Sequence, residues 1–160
     1  MQHKLIVCDA EKCTGCMICD LVCSAVKEGK INPILSRIRT IRLGLVFNIA
    51  ISCRLCYDAP CVKACPRKAL RVNEESGTII VDEDKCDGCA WCLEACSFGA
   101  INIHGDKKVA IICDLCELEP KCINFCPEKA LLFTSYQTIG GKKKSEAAKR
   151  LFGIALEDIK

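Results

Sequence analysis

The sequence predicts an α+β fold made of two similar small units, in which cysteine groups replace much of the usual apolar core. Sixteen of the seventeen cysteines fall into four groups of four. Two spacings alternate among these groups, so the chain carries an internal A-B-A-B repeat. Only 5% of the residues are aromatic although 51% are hydrophobic. Because so few large side chains are available to fill a core, we expect the cysteine groups to occupy much of the interior.

The first predicted element is a strand at residues 4–9, where apolar and polar residues alternate weakly. Cys8, the cysteine outside the four groups, lies in this strand and is expected to be a small buried residue. The first cysteine group follows. A short helix over 20–27 is predicted to carry the last cysteine of that group, Cys23.

The four groups have the spacing of ligand sets for [4Fe–4S] clusters. The first and third read C-x-x-C-x-x-C-x-x-x-C, the run by which bacterial ferredoxins hold such clusters. Gly15 and Gly88 lie within these two runs, where a tight loop needs a residue without a side chain. The second and fourth groups are followed by Pro66 and Pro127, which turn the chain away from the last ligand.

Residues 31–52 are predicted to form a β insertion between the first and second groups. Asn32-Pro33 opens the segment, and the run Arg37-Ile38-Arg39-Thr40-Ile41-Arg42-Leu43 alternates like a strand. Gly44 separates it from a second apolar run at 45–51. The arginines have two interpretations, a solvated strand face or a surface that contacts an acidic partner.

Two hairpins are predicted further along the chain. Residues 69–72 and 78–82 flank a turn that contains Gly77. Residues 98–103 and 108–112 flank Gly105 in the same way. The first of these hairpins joins the second and third cysteine groups, as a hairpin joins the two halves of a bacterial-type ferredoxin.

This linker determines how the groups are expected to pair. The fourth cysteine of a group lies one helical turn beyond the third, and in two-cluster ferredoxins it ligates the neighbouring cluster. The second and third groups are therefore predicted to form an inner ferredoxin-like module, residues 53–97. By elimination, the first and fourth form an outer module from residues 1–30 and 98–139. Pairing the first group with the second, and the third with the fourth, is the alternative.

The nested pairing gives four predicted ligand sets. Cluster 1 takes Cys13, Cys16, Cys19 and Cys126; cluster 2 takes Cys53, Cys56, Cys61 and Cys96; cluster 3 takes Cys86, Cys89, Cys92 and Cys65; cluster 4 takes Cys113, Cys116, Cys122 and Cys23.

Residues 140–160 are predicted to form a helical extension without ligands. Gly140-Gly141 and the lysines at 142–144 have the composition of a hinge and a charge run, and Ser145 is a candidate N-cap. Apolar residues then recur at helical spacing as far as Ile159. This helix either covers the chain's own core or docks on a partner subunit.

Other chemistries suit the sequence less well. A disulfide scaffold is typical of secreted proteins, and Met1-Gln2-His3-Lys4 lacks an apolar signal core. Structural zinc is the remote alternative. Zinc sites commonly include histidine, whereas His3 and His104 both lie outside the cysteine groups. No stretch approaches the roughly eighteen apolar residues that span a bilayer, so we expect a cytoplasmic protein.

The charge and the motifs argue against nucleic-acid binding and against catalysis. The formal net charge is +3, but with sixteen thiolates and four oxidised clusters it would be about −5. Phosphate-binding loops and triads of catalytic side chains are missing from the sequence. A cluster with four cysteine ligands has no open position for substrate, so the chain is predicted to transfer electrons without being an enzyme itself.

The order of the motifs, with C-x-x-C-x4-C-x-x-x-C-P second, resembles the four-cluster subunits of the dimethyl-sulfoxide-reductase iron–sulfur family over residues 4–135. The resemblance implies two ferredoxin-like modules, the nested pairing, a nearly linear array of clusters and a large catalytic partner. The sequence Asn32-Pro33 through Ser36-Arg37-Ile38-Arg39 is similar to small subunits of tungsten aldehyde oxidoreductases or carbon monoxide dehydrogenases. Ser24 and Ser97 stand where the family often has proline, so the local turn is expected to differ there.

The predicted function is that of an electron-transfer subunit between a catalytic oxidoreductase subunit and another redox carrier. A tungsten or molybdenum pterin enzyme of the aldehyde-oxidoreductase type is the expected partner. Carbon monoxide dehydrogenase, hydrogenase and formate dehydrogenase assemblies are alternatives, as is a free-standing polyferredoxin. Further copies of the chain, a ferredoxin or a flavin subunit could also bind. Tyr57 and Trp91, inside the second and third groups, either shield their clusters or pack in the core.

Overall fold

Short antiparallel hairpins and short helices alternate through the computed structural model, which describes residues 4–44, 46–141, 144 and 147. The strands are β1 Lys4–Cys8, β2 Arg39–Leu43, β3 Phe47–Ile51, β4 Leu70–Val72, β5 Ile79–Val81, β6 Ile101–Ile103, β7 Ala110–Ile112 and β8 Leu131–Ser135. The helices are α1 Ile18–Glu28, α2 Pro60–Lys63, α3 Trp91–Glu94 and α4 Lys121–Asn124; Pro33–Leu35 is a 3₁₀ turn, and 136–141 is helical. The predicted α+β class, with small helices and hairpins, is confirmed.

The first strand pairs with the last one described. β1 runs antiparallel to β8, with Lys4 opposite Ser135 and Cys8 opposite Leu131. Leu5 is fully buried and Ile6 nearly so, and because consecutive strand residues point to opposite faces, both faces of β1 are covered at this point. The predicted strand at 4–9 is confirmed, whereas β8 was not predicted.

The two predicted hairpins are present, and the two runs of the predicted β insertion pair with each other as well. β2 pairs with β3, β4 with β5, and β6 with β7, each antiparallel. The β4–β5 turn is held by Asn73, whose side-chain oxygen accepts the backbone N–H groups of Glu75 and Ser76. The β6–β7 turn is held by His104, whose Nδ1 accepts the N–H groups of Asp106 and Lys107. Local polar side chains thus stabilise these two turns.

α1 is the longest helix with defined bounds and includes the predicted 20–27. It ends at Gly29, which adopts the left-handed conformation and donates its N–H to the Ala25 carbonyl. Ser24 lies inside α1, where proline would break the helix. Its hydroxyl donates to the Leu21 carbonyl and accepts the N–H of Asn32, so it ties the start of the insertion to α1.

The core of the described residues contains cysteines in place of large aromatic side chains. Seven cysteines are buried together with small and aliphatic residues, and none of the buried hydrophobic side chains described is aromatic. They are Cys19, Cys23, Cys53, Cys61, Cys92, Cys113 and Cys122. The packing of this fold therefore depends on the cysteine groups.

A buried ion cluster joins α1 to the insertion and to the β6–β7 turn. The carboxylate of Glu28 lies 3.3 Å from Arg37 Nη2, 3.3 Å from Lys107 Nζ and 3.6 Å from His104 Nε2. Its side chain is only 8% exposed. Since three parts of the chain meet at one carboxylate, Glu28 links elements that are distant in sequence.

At the C-terminal end, the expected hinge at Gly140-Gly141 is wrong, because both residues are helical. The N-cap expected at Ser145, and the apolar face that follows it, lie outside the described residues. Within the described part of the chain, none of the helices has the length and apolar character needed to cross a membrane.

Candidate metal centres

Three cavities in the structure are each lined by four group cysteines, three from one group and one from another. They enclose about 340, 270 and 320 Å³, counting their open mouths. The first is lined by Cys13, Cys16, Cys19 and Cys126, the second by Cys65, Cys86, Cys89 and Cys92, and the third by Cys23, Cys113, Cys116 and Cys122. The structure thus brings together the residues predicted for clusters 1, 3 and 4.

The residues predicted for cluster 2 also lie close together. Burial raises the pKa of the Cys53 and Cys56 thiols, and the nearby Cys96 raises both further. Burial, with Cys53 and Cys96, raises the pKa of Cys61 to about 11. Cys96 is therefore close to all three cysteines that the second group contributes.

The four cysteine groups lie side by side in two pairs, the second with the third and the first with the fourth. Burial, followed by Cys86 and with a smaller effect from Cys61, raises the pKa of Cys92 to about 11, which places the second and third groups side by side. Burial raises the pKa of Cys19 to about 12, with smaller effects from Asp20 and Cys122, which places the first and fourth groups side by side. The helices match this arrangement, since α1 packs on α4 and α2 packs on α3.

The last cysteine of every group accepts a backbone hydrogen bond. The sulfur atoms of Cys65, Cys96 and Cys126 each accept the N–H of the alanine four residues later, at 3.3–3.4 Å. Cys23 lies within the longer α1, and its sulfur instead accepts the N–H of Arg37, at 3.3 Å. The insertion therefore supplies the donor that a local turn supplies elsewhere. Such N–H groups stabilise charge on sulfur and tune cluster potentials.

The arginines of the insertion bond within the chain. Arg37 pairs with Glu28, and Arg39 Nη1 donates to the Pro33 carbonyl at 3.0 Å. Arg42 Nε donates to the carbonyl of Gly15, in the loop of the first group, at 2.9 Å. Arg42 is exposed as well as hydrogen-bonded, so the face also meets solvent there. Contact with an acidic partner stays a prediction.

The two motif glycines are required by the backbone, as predicted. Gly15 and Gly88 have φ values of +71° and +72°, which side-chain-bearing residues rarely adopt. A Cβ atom on Gly15 would lie 2.6 Å from Asn48 Oδ1, and one on Gly88 would overlap the carbonyl oxygen of Lys108. Both cluster loops therefore press against a neighbouring hairpin.

A comparison with protein-family models finds a 4Fe-4S dicluster domain over residues 45–136. The chain belongs to this family of iron–sulfur proteins. The predicted resemblance to a ferredoxin-like iron–sulfur protein is thereby confirmed.

Relatives of this chain are named as ferredoxins or electron-transport proteins. It is 42% identical to the polyferredoxin-like subunit of aliphatic sulfonate oxidoreductase from Pyrococcus furiosus, over 77% of this chain and 71% of the relative. It is 36% identical to an uncharacterized ferredoxin of Methanocaldococcus jannaschii, over 100% of this chain and 98% of that one. The electron transport protein HydN of Escherichia coli is 33% identical, over 81% and 87%.

A solved structure shares the fold. It is a chain of the active site complex BamBC of benzoyl coenzyme A reductase, with a TM-score of 0.50 and 21% identity. The match covers 93% of this chain and 91% of that one.

The donor set fits the cofactor of the family. Each candidate site offers four thiols, and a [4Fe–4S] cluster bound by thiolates supplies one-electron redox chemistry. Among the described residues, no three His, Cys, Asp or Glu side chains converge closely enough for a single metal ion. The thiols lie around wider cavities, as a multi-atom cluster requires. Burial raises the pKa of several thiols, so binding such a cluster must release their protons.

The exposed residues of the sites indicate where they approach solvent. Cys16 and Cys89 are exposed, in the loops of the first and third groups. Tyr57 is fully exposed and Trp91 is 64% exposed. Core packing is therefore wrong for these two aromatic side chains, while shielding of the clusters stays a prediction. Cys8, expected to be buried, is half-buried beside Cys13.

Proposed function

We propose that this chain is the electron-transfer subunit of an oxidoreductase complex and that four [4Fe–4S] clusters carry its electrons. The observation that carries the proposal is that twelve cysteines line three cavities in sets of four, and that the remaining four lie near one another. A cubane cluster with four cysteine ligands has no iron position open to substrate. Such a centre can accept and donate electrons but cannot perform chemistry on a bound molecule, so the reaction belongs to a partner.

The proposed ligand sets are the four nested ones, clusters 1 to 4 as defined above. The lining of three cavities by one complete set each supports this assignment. The packing of α1 on α4 and of α2 on α3 supports an outer and an inner ferredoxin-like module. With the β insertion at 31–52 and the extension at 140–160, these are the proposed domains.

The proposed partner is a large catalytic oxidoreductase subunit, with a tungsten or molybdenum pterin enzyme as the first candidate. The family resemblance and the relative named as a subunit of aliphatic sulfonate oxidoreductase support a partner of the oxidoreductase class. A further relative, 31% identical over 88% of this chain, is named as a probable anaerobic dimethyl sulfoxide reductase chain of Escherichia coli. Native anaerobic purification with identification of the attached large chain tests this; a chain that elutes alone would contradict it.

The ligand sets are tested by single cysteine substitutions followed by EPR of the reduced protein. Cys126→Ala and Cys13→Ala should remove the same signal, because both residues are assigned to cluster 1. The alternative pairing instead predicts that Cys126→Ala removes the signal that Cys86→Ala removes. Cys8→Ala is the matched control, since Cys8 belongs to none of the sets, and it should leave all four signals intact.

A further inference from the structure

Asp20 is a fully buried carboxylate next to Cys19, a residue assigned to cluster 1. Its relative exposure is 0%. Oδ1 accepts the backbone N–H of Thr40 at 3.1 Å, and Oδ2 accepts the Thr40 hydroxyl at 2.5 Å. Oδ2 also lies 3.4 Å from the sulfur of Cys19. Both oxygens of Asp20 therefore accept hydrogen bonds from Thr40.

Buried carboxylates normally have a cationic partner. Among the ion pairs of the described residues, none involves Asp20, whereas the other buried carboxylate, Glu28, pairs with Arg37 and Lys107. An ion in a poorly polarisable interior without a counter-charge is costly to bury. The two hydrogen bonds from Thr40 offset part of this cost for Asp20.

The other cysteine groups have no charge at this position. Asp20 directly follows the third cysteine of the first group, and the residues that follow the third cysteines of the other groups are apolar: Val62, Leu93 and Ile123. A buried charge at this position therefore distinguishes cluster 1 from clusters 2, 3 and 4.

The contacts of Thr40 hold the carboxylate in one orientation. Thr40 lies in β2 of the insertion, and both its backbone N–H and its hydroxyl donate to Asp20. Its hydroxyl oxygen also lies 3.4 Å from Cys19 Sγ. The insertion thus fixes the distance between the Asp20 charge and the sulfur of Cys19.

We propose that Asp20 lowers the reduction potential of cluster 1 and that Thr40 positions Asp20 for this role. The inference rests on the proposed function. Reduction adds one electron from a one-electron carrier, with no bond made or broken, so the site becomes more negative by one charge. A fixed anion beside Cys19 disfavours that added charge, and it does so strongly because the site is buried.

The test is an EPR-monitored redox titration of the full-length, cluster-loaded chain with dithionite, under anaerobic conditions. In Asp20→Asn, which keeps the size and removes the charge, one midpoint potential should rise and the other three should stay unchanged. The centre that shifts should be the one missing from Cys126→Ala. Asp114→Asn is the matched control, because Asp114 also neighbours a group cysteine but is half-exposed and paired with Lys27. It should shift its nearest centre by less.

Thr40→Val and Thr40→Ser separate positioning from folding. Val removes the hydroxyl and keeps the branched shape, so it should shift the same potential in the same direction by a smaller amount; Ser should restore the native value. If the Asp20→Asn protein does not bind cluster 1, the potentials of the two Thr40 variants test the inference instead. Unchanged potentials, or a downward shift, in variants with full iron content would overturn the inference alone. A wild-type chain that lacks four reducible centres would instead overturn the proposed function.

Discussion

The substitution Gly88→Ala tests how the loop of the third cysteine group is held in place. Gly88 has φ +72°, a left-handed conformation that costs a residue with a Cβ about 1–2 kcal/mol. The added Cβ would also overlap the carbonyl oxygen of Lys108. Because that oxygen belongs to the backbone, the overlap is relieved only by moving the β6–β7 turn. Overpacking of this kind costs about 1–3 kcal/mol more.

The expected loss is therefore about 2–5 kcal/mol, and in a chain of this size it lowers Tm by about 5–15 °C. Two glycines provide controls. Gly29 has φ +65° with no atom within 4 Å of an added Cβ, so Gly29→Ala should lose only about 3–6 °C. Gly105 has neither a left-handed φ nor a close neighbour, and Gly105→Ala should change Tm by less than about 2 °C.

The assay is anaerobic thermal unfolding of the cluster-loaded chain, followed by far-UV circular dichroism and by visible absorbance. A Gly88→Ala protein that is no less stable than Gly29→Ala would refute the reasoning. It would mean that the loop does not press against Lys108 in the folded, cluster-loaded protein.

Three further perturbations have clear expected outcomes. Glu28→Gln leaves the mostly buried Arg37 without its carboxylate and should cost about 3 kcal/mol in denaturant unfolding. Glu119→Gln, on the surface, should have a much smaller effect in the same measurement; equal effects would contradict a buried ion pair at Glu28. Leu5→Ala should lower the free energy of unfolding by about 2–5 kcal/mol. Leu132 is partly exposed, so Leu132→Ala should lower it clearly less in the same measurement. Removing iron with a chelator should abolish the circular dichroism of the fold, because buried thiols form much of its core; a chelated chain that stays folded would contradict that.

The elements that sequence predicted are those fixed by local signals. Alternating residues indicated β1, and glycine-bearing turns indicated the hairpins. The helix over 20–27 was predicted as well; its end at Gly29 was not, although it too is a local feature, since glycine commonly ends helices. Each depends on residues within a few positions of one another, so no knowledge of the tertiary fold was needed.

The features that sequence analysis missed depend on long-range contacts. β8 pairs with β1, and Lys4 and Ser135 lie opposite each other although nearly the whole described chain separates them. The hydrogen-bond acceptors of the arginines in the insertion were also missed. A long side chain can reach many acceptors, and the sequence pattern does not indicate which of them it contacts. Asp20 did leave a signal, since aligning the four cysteine groups shows one acidic residue where the others have apolar residues.

The central claim is that sixteen cysteines ligate four clusters completely, so that each cluster can only accept or donate electrons. Iron and acid-labile sulfide per polypeptide, measured on anaerobically purified protein together with the electrons taken up on reduction, test it most directly. The account predicts about sixteen irons, about sixteen sulfides and four reducible centres per chain. Zinc in place of iron, markedly fewer irons, or a cluster iron that binds an added small molecule would contradict it.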